Sequence, residues 1–227
     1  MKYWRITTLA GIITILLILS LSHLACAAPI LQGFVTDDGT WYVNDTDESN
    51  VIRSAMATFS VNGSLLTITL TNTAETTDGP SEVLAGLFFD FSGGLIGTPS
   101  ISISDGSSLI YGDGAPPTPS DLATEWAYLA GINEINGGRG DYGISATSLD
   151  PEGESTDGWE GFGDNLIDPD GNNNNPISAD GWDYGLVGAS VGINNFNDYA
   201  IQSSVTITWN ILGEGTVDNV WFLYGTS

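Results

Sequence analysis

The chain has 227 residues, with four Lys or Arg against 28 Asp or Glu, one histidine and one cysteine. Lys2, Arg5, His23 and Cys26 all fall within the first 27 residues, so the remainder holds only Arg53 and Arg139 against every acid, a net of −26. Beyond residue 27, therefore, no Ser-His-Asp or Cys-His nucleophile, no lysine Schiff base and no imidazole or thiolate metal site can be built, and nucleic acid and anionic lipid, which need a cationic face, are disfavoured as partners.

Lys2 and Arg5 precede an uncharged stretch, and Ala25-Cys26-Ala27 supplies a small-x-small pattern. Residues 1–27 thus read as a secretory signal peptide cleaved after Ala27. The apolar run 9–21 falls short of the ~20 residues that cross a bilayer as a helix. Acylation of Cys26 is the competing reading, although His23 and Leu24 fit a lipoprotein site poorly. Residues 28–227 are then a single secreted domain, extracellular or at the cell surface, with no stable membrane span after cleavage.

Along that domain, Val, Ile, Thr and aromatic residues alternate with polar ones in short runs punctuated by Gly, Asn, Asp and Pro, the pattern of strands and turns. Runs 55–61 and 65–71 form a hairpin through Asn62-Gly63-Ser64. In the second of these, Leu66, Ile68 and Leu70 fall on one face, and Thr67, Thr69 and Thr71 on the other. Further strands are predicted at 84–91, 100–104, 107–111, 125–130, 142–146, 183–187, 201–212 and 217–224. Residues 115–121 carry three prolines and read as a loop. Residues 148–181 form one long Gly/Asp/Asn-rich excursion. The expected fold is all-β: a single-domain β-sandwich with jelly-roll-like or Greek-key connections.

The ordered set Phe59-Ser60-Val61, Leu66-Thr67-Ile68-Thr69-Leu70-Thr71-Asn72 and Val83-Leu84-Ala85-Gly86-Leu87-Phe88-Phe89-Asp90 resembles a family of exported bacterial proteins, the exosortase-dependent surface proteins of the XDD group, associated with PEP-CTERM sorting tails. Glu125-Trp126-Ala127-Tyr128, Asp141-Tyr142-Gly143-Ile144-Ser145, Trp182-Asp183-Tyr184-Gly185-Leu186 and Val220-Trp221-Phe222-Leu223-Tyr224-Gly225-Thr226 extend the resemblance to the end of the chain. It implies a β-rich domain on or shed from the envelope of a cell that makes extracellular polysaccharide, with no enzymatic activity. The family's Pro-Glu-Pro tail does not follow Gly225-Thr226, where Ser227 stands: either this member is released free, or the tail has been lost from this sequence.

Among residues that could carry chemistry, Asp168, Asp170 and Asn172 place oxygen acceptors at alternate positions of a Gly-containing loop, and Ca²⁺ is the one cofactor they suggest. They do not make an EF-hand loop, because Asn173 stands where its glycine belongs and Ala179 where its glutamate belongs. A polar turn cluster explains the same residues. Asp37-Asp38-Gly39 and residues 45–48 have the same two readings. Trp159, Phe162, Trp182 and Tyr184 lie in or beside the excursion and compose a candidate platform for stacking sugar rings, with core packing as the alternative. Trp126, Trp209 and Trp221 are expected to be buried on strands. Glu125 and Glu160 sit beside tryptophans and are the best placed pair for glycoside hydrolysis, which needs one carboxyl kept protonated. Arg53 and Arg139 read as forks to carboxylates and carbonyls.

These readings point to a non-catalytic secreted or cell-surface protein of a bacterial envelope or extracellular polysaccharide matrix, whose partners are that polysaccharide or other matrix proteins. A carbohydrate-binding module or adhesin is the first alternative and a carboxylate-pair glycoside hydrolase the more distant one.

Overall fold

The structure is a computed structural model and describes residues 30–47, 50–111, 122, 126–131, 138–146, 184–191 and 199–225. In chain order the strands are β1 (Ile30–Gln32), β2 (Phe34–Val35), β3 (Trp41–Thr46), β4 (Ile52–Asn62), β5 (Leu65–Asn72), β6 (Thr76–Thr77), β7 (Leu84–Phe91) and β8 (Leu95–Ile103). They continue as β9 (Ser108–Tyr111), β10 (Ala127–Ala130), β11 (Tyr142–Ser145), β12 (Gly185–Val187), β13 (Ser190–Val191), β14 (Tyr199–Gln202), β15 (Ser204–Ile211) and β16 (Val217–Tyr224). A 3-10 turn, Pro80–Glu82, leads into β7.

The chain is all-β, as expected, and most of its strands form two sheets. One has the order β1-β16-β7-β12-β14-β9, with β11 on the flank of β7 and β10 paired to β11; the other is six-stranded, in the order β2-β3-β4-β5-β15-β8. β13 and β6 make a separate short parallel pair. In the six-stranded sheet every pairing is antiparallel.

The two sheets face each other across one core because each offers an apolar side. Leu66, Ile68 and Leu70 of β5 and Val205 and Ile207 of β15 have no exposed surface, and they share a cluster with Leu87, Phe89, Ile144, Phe222 and Tyr224 of the other sheet. At roughly 1.5–3 kcal/mol for each such side chain taken from water, this alternation gives the sandwich its main driving force. Phe59 of β4 meets Phe89 of β7 across the interface, ring centroids 5.5 Å apart.

β7 departs from the simple wet-and-dry pattern, since Phe88 is as fully buried as Phe89. Its near-continuous apolar run, Leu84-Ala85-Gly86-Leu87-Phe88-Phe89, suits a central strand flanked by β16 on one side and by β11 and β12 on the other.

The chain passes between the two sheets several times, and two of these crossings bear on the predicted strands. The run predicted as one strand over 201–212 is two: β14 belongs to the first sheet and β15 to the second, and the chain swings between them at Ser203, whose φ is 78°. Near the N-terminus the chain passes from β1 to β2 through Gly33, whose amide donates to the Val220 carbonyl at 2.8 Å. A Cβ at that position would lie 2.8 Å from the Phe222 ring. Strands β1 to β3 had no counterpart in the predicted set, because Gly33 and Asp37-Asp38-Gly39 interrupt their alternation.

The predicted hairpin stands as β4 and β5 in the register Asn62↔Leu65, which leaves Gly63 and Ser64 as the loop. Gly63 has φ 61°, the left-handed region that a two-residue hairpin turn demands.

Candidate functional site

Of the aromatic platform expected from the sequence, Trp159, Phe162 and Trp182 lie outside the described residues, as do Asp168, Asp170 and Asn172, and Glu125 and Glu160. Tyr184 is described, and the structure corrects its part in the platform. It is 1% exposed and its ring stacks on Tyr199 at 5.6 Å. Its amide donates to the Tyr199 carbonyl at 2.7 Å and its carbonyl accepts from Trp126 Nε1 at 3.2 Å. Tyr184 ties the entrance of β12 into the core and offers no ring face to a ligand. Trp126 and Trp209 are buried as expected, whereas Trp221 is half-buried, with the Arg139 guanidinium 5.9 Å over its ring.

The described acids are engaged locally. Asp38 accepts from the Thr36 hydroxyl and the Thr40 amide, and these bonds hold its carboxyl below the usual range. Asp45 and Asp47 pair with buried Arg53 at 3.4 and 3.0 Å, and Arg53 Nε donates to the Ser81 carbonyl at 2.9 Å. Arg53 is the fork that its sequence context suggested. Asp90 accepts from the Asp141 amide at 2.7 Å and from Asn219 at 3.1 Å, a knot that closes the loop before β11 onto β16. Among the described residues no group of three or more His, Cys, Asp or Glu could hold a metal ion.

The feature the sequence reading passed over is the outer face of the six-stranded sheet. Strands β2, β3, β4, β5, β15 and β8 contain one acid, Asp45, and one base, Arg53. These two are register partners and pair with each other. Arg53 is on the buried side of β4, since it alternates with half-exposed Ser54 as Ala55 and Ala57 do. All other positions of these strands are uncharged, on a chain whose formal charge beyond residue 27 is −26.

Register arranges this neutral face in rows. Thr58, Thr69, Thr206 and Ser102 stand side by side across β4, β5, β15 and β8, and Ser60, Thr67, Thr208 and Ser100 form the next row. A third row is apolar at one end: Phe34, Tyr42 and Met56 lead to Thr71. The Phe34 and Tyr42 rings stack 6.0 Å apart, and Phe34 is 55% exposed. At the opposite end, Leu65 and Ile96 flank Asn210 and are partly exposed.

Within the grid some hydroxyls are held and others are spare. Ser104 Oγ and Thr206 Oγ1 are 2.8 Å apart, and Ser102 donates to the Thr206 carbonyl at 3.4 Å. Thr58, Ser60, Thr67, Thr69, Thr71, Ser100 and Thr208 make no side-chain hydrogen bond within the described structure. Each keeps one donor and two acceptor positions for water or a ligand. Beside the β8–β9 turn lies a separate groove of about 560 Å³, lined by Ile101, Ile103, Leu109 and Leu122 of the core side as well as by Ser104 and Asp105.

The sequence did carry a signal for this face. Stretches 51–74, 91–104 and 199–213 contain no acid, in a chain with 28 of them. Comparison with known proteins adds nothing to the geometry: no family model, no curated protein and no solved structure matches the chain.

Proposed function

We propose that this is a non-catalytic protein exported to a bacterial cell surface or into an extracellular polysaccharide matrix, as the exosortase-dependent resemblance implies. The observation that carries the reading is the charge-free outer face of the six-stranded sheet on a chain whose net charge beyond residue 27 is −26. Acids spread over the rest of the molecule keep copies soluble and apart, and one broad neutral face is left for contact. The missing histidine and lysine beyond residue 27 support a role by contact over a role by turnover.

Fractionation of the producing cells tests it. The protein is expected in the medium or envelope fraction, co-sedimenting with extracellular polysaccharide, and its intact mass begins at Ala28. Recovery from the cytosol with residues 1–27 attached overturns export. Steady hydrolysis of a glycan, abolished by one Glu→Gln or Asp→Asn substitution, overturns the non-catalytic part.

A further inference from the structure

We infer that the outer face of the six-stranded sheet is a docking surface for soluble, uncharged polysaccharide, with the Phe34–Tyr42 pair as a stacking step and the hydroxyl rows as the hydrogen-bonding grid. The inference rests on the matrix reading above and assigns it a ligand class and a place.

Three observations select this occupant. The first is charge: the face presents no acid and no base, so a neutral ligand meets no unpaired charge there, whereas uronate or sulfate polymers approach a chain whose net charge beyond residue 27 is −26 against its overall repulsion. The second is the spare hydroxyls. Thr58, Thr67, Thr69 and Thr208 are uncommitted within the described structure and both donate and accept, which complements a ligand made of hydroxyls. The third is the aromatic pair at the row's end, in which Phe34, a side chain that usually seeks burial, is 55% exposed and stacks on half-buried Tyr42.

A second copy of the chain fits this face less well. Protein–protein contacts draw their energy from buried aromatic and arginine anchors, and serine and threonine are under-represented among the residues that matter. Here serine and threonine make up the centre of the patch.

The lattice of the sheet favours a repeating polymer. Hydroxyls recur about every 4.8 Å from strand to strand and about every 6.8 Å along a strand, so a polymer can engage several of them at once. Each contact is weak, and their sum gives retention through effective concentration. Neighbouring strands rotate by roughly 20–25°, which makes the face a saddle. A single flexible chain follows such a surface and a crystalline one does not.

Native electrophoresis of the exported domain through gels containing dextran, mixed-linkage β-glucan, galactomannan or alginate tests the assignment. At least one of the three neutral polymers is expected to retard the protein, and alginate is not. The triple variant Thr58→Val, Thr69→Val, Thr208→Val keeps β-branched shape and removes three spare hydroxyls. It is expected to weaken the retardation by about tenfold or more, with an unchanged melting midpoint. Phe34→Ala, at a separate exposed position, is expected to weaken it as well, and it carries the test if the triple variant melts early.

Undiminished retardation of these variants, retardation by alginate alone, or passage through all three neutral gels unhindered overturns the proposal. So does a dimer in free solution that the triple variant dissolves, which assigns the face to self-association. If the variants bind neutral polymer as tightly as the parent while fractionation still places the protein in the matrix, the matrix reading stands and this face is not its site.

Discussion

Thr69 of β5 and Thr206 of β15 stand directly opposite each other on the outer face, yet among the described residues only Thr206 has a hydroxyl partner, Ser104 Oγ at 2.8 Å. The two threonines differ in what the fold asks of them. Replacing Thr69 by Val should leave stability within about 0.5 kcal/mol of the parent, because an exposed β-branched side chain is exchanged for another. Replacing Thr206 by Val should cost about 1 kcal/mol, since it removes a hydroxyl that Ser104 uses. Urea unfolding of the two single variants separates them, and equal losses would show that the spare hydroxyls are structural.

Arg53 concentrates several structural ties in one side chain. It is 6% exposed, reaches Asp45, Asp47 and the Ser81 carbonyl, and so binds β3, β4 and the 3-10 turn ahead of β7. Arg53→Met should lower stability by about 2 kcal/mol, the scale for hydrogen bonds to a charged group, with the loss tempered because both aspartates are partly exposed. The same variant should leave any contact at the outer face unchanged. Chemical denaturation and a binding measurement on one preparation check both halves.

The larger elements were legible because they depend on local alternation. β5 and β15 read directly as Leu66-Ile68-Leu70 and Val205-Ile207-Trp209 facing inward, and β7 and β16 were predicted with the bounds the structure gives them. What alternation does not encode is register. Thr67, Thr69 and Thr71 announced a wet side of one strand, but their alignment with Thr206, Thr208, Ser100 and Ser102 depends on pairing residues some hundred positions apart. Burial of Tyr184 was hidden for a related reason. Its partner Tyr199 comes from a parallel neighbour strand that no local pattern identifies.

Gly33 should tolerate no side chain. The chain crosses between sheets there, and an added Cβ meets the ring of Phe222, itself without exposed surface, at 2.8 Å. A ring packed on all sides cannot step aside cheaply, so Gly33→Ala should destabilise by about 1–3 kcal/mol through overpacking. Gly39 makes the contrasting control for space, because nothing lies within 4 Å of a Cβ there. Its φ of 80° confines any loss in Gly39→Ala to backbone strain. Thermal melts of the pair distinguish the two causes when a Gly39→Asn variant, whose residue type accepts the left-handed region, recovers the turn.

Tyr224 carries the one buried side-chain oxygen without a hydrogen-bond partner among the described residues. Burial pushes its phenol well above the ordinary value of 10.0, with nearby Arg53 pulling the other way and Asp45 reinforcing the rise. Because the folded-state value is raised, the folded protein holds this proton more tightly than the unfolded chain does. The associated stability is complete below pH 10 and is lost as alkalinity carries the unfolded phenol through its ionisation. Tyr224→Phe removes an oxygen that gained no bond on burial, so stability at neutral pH should stay level or rise by up to about 1 kcal/mol. The variant should also lose Tyr224's share of the decline above pH 10, leaving only that of the other tyrosines. Guanidinium unfolding of both proteins at pH 7 and pH 11 measures the two effects, and a marked loss at pH 7 would mean that the hydroxyl has a partner the fold depends on.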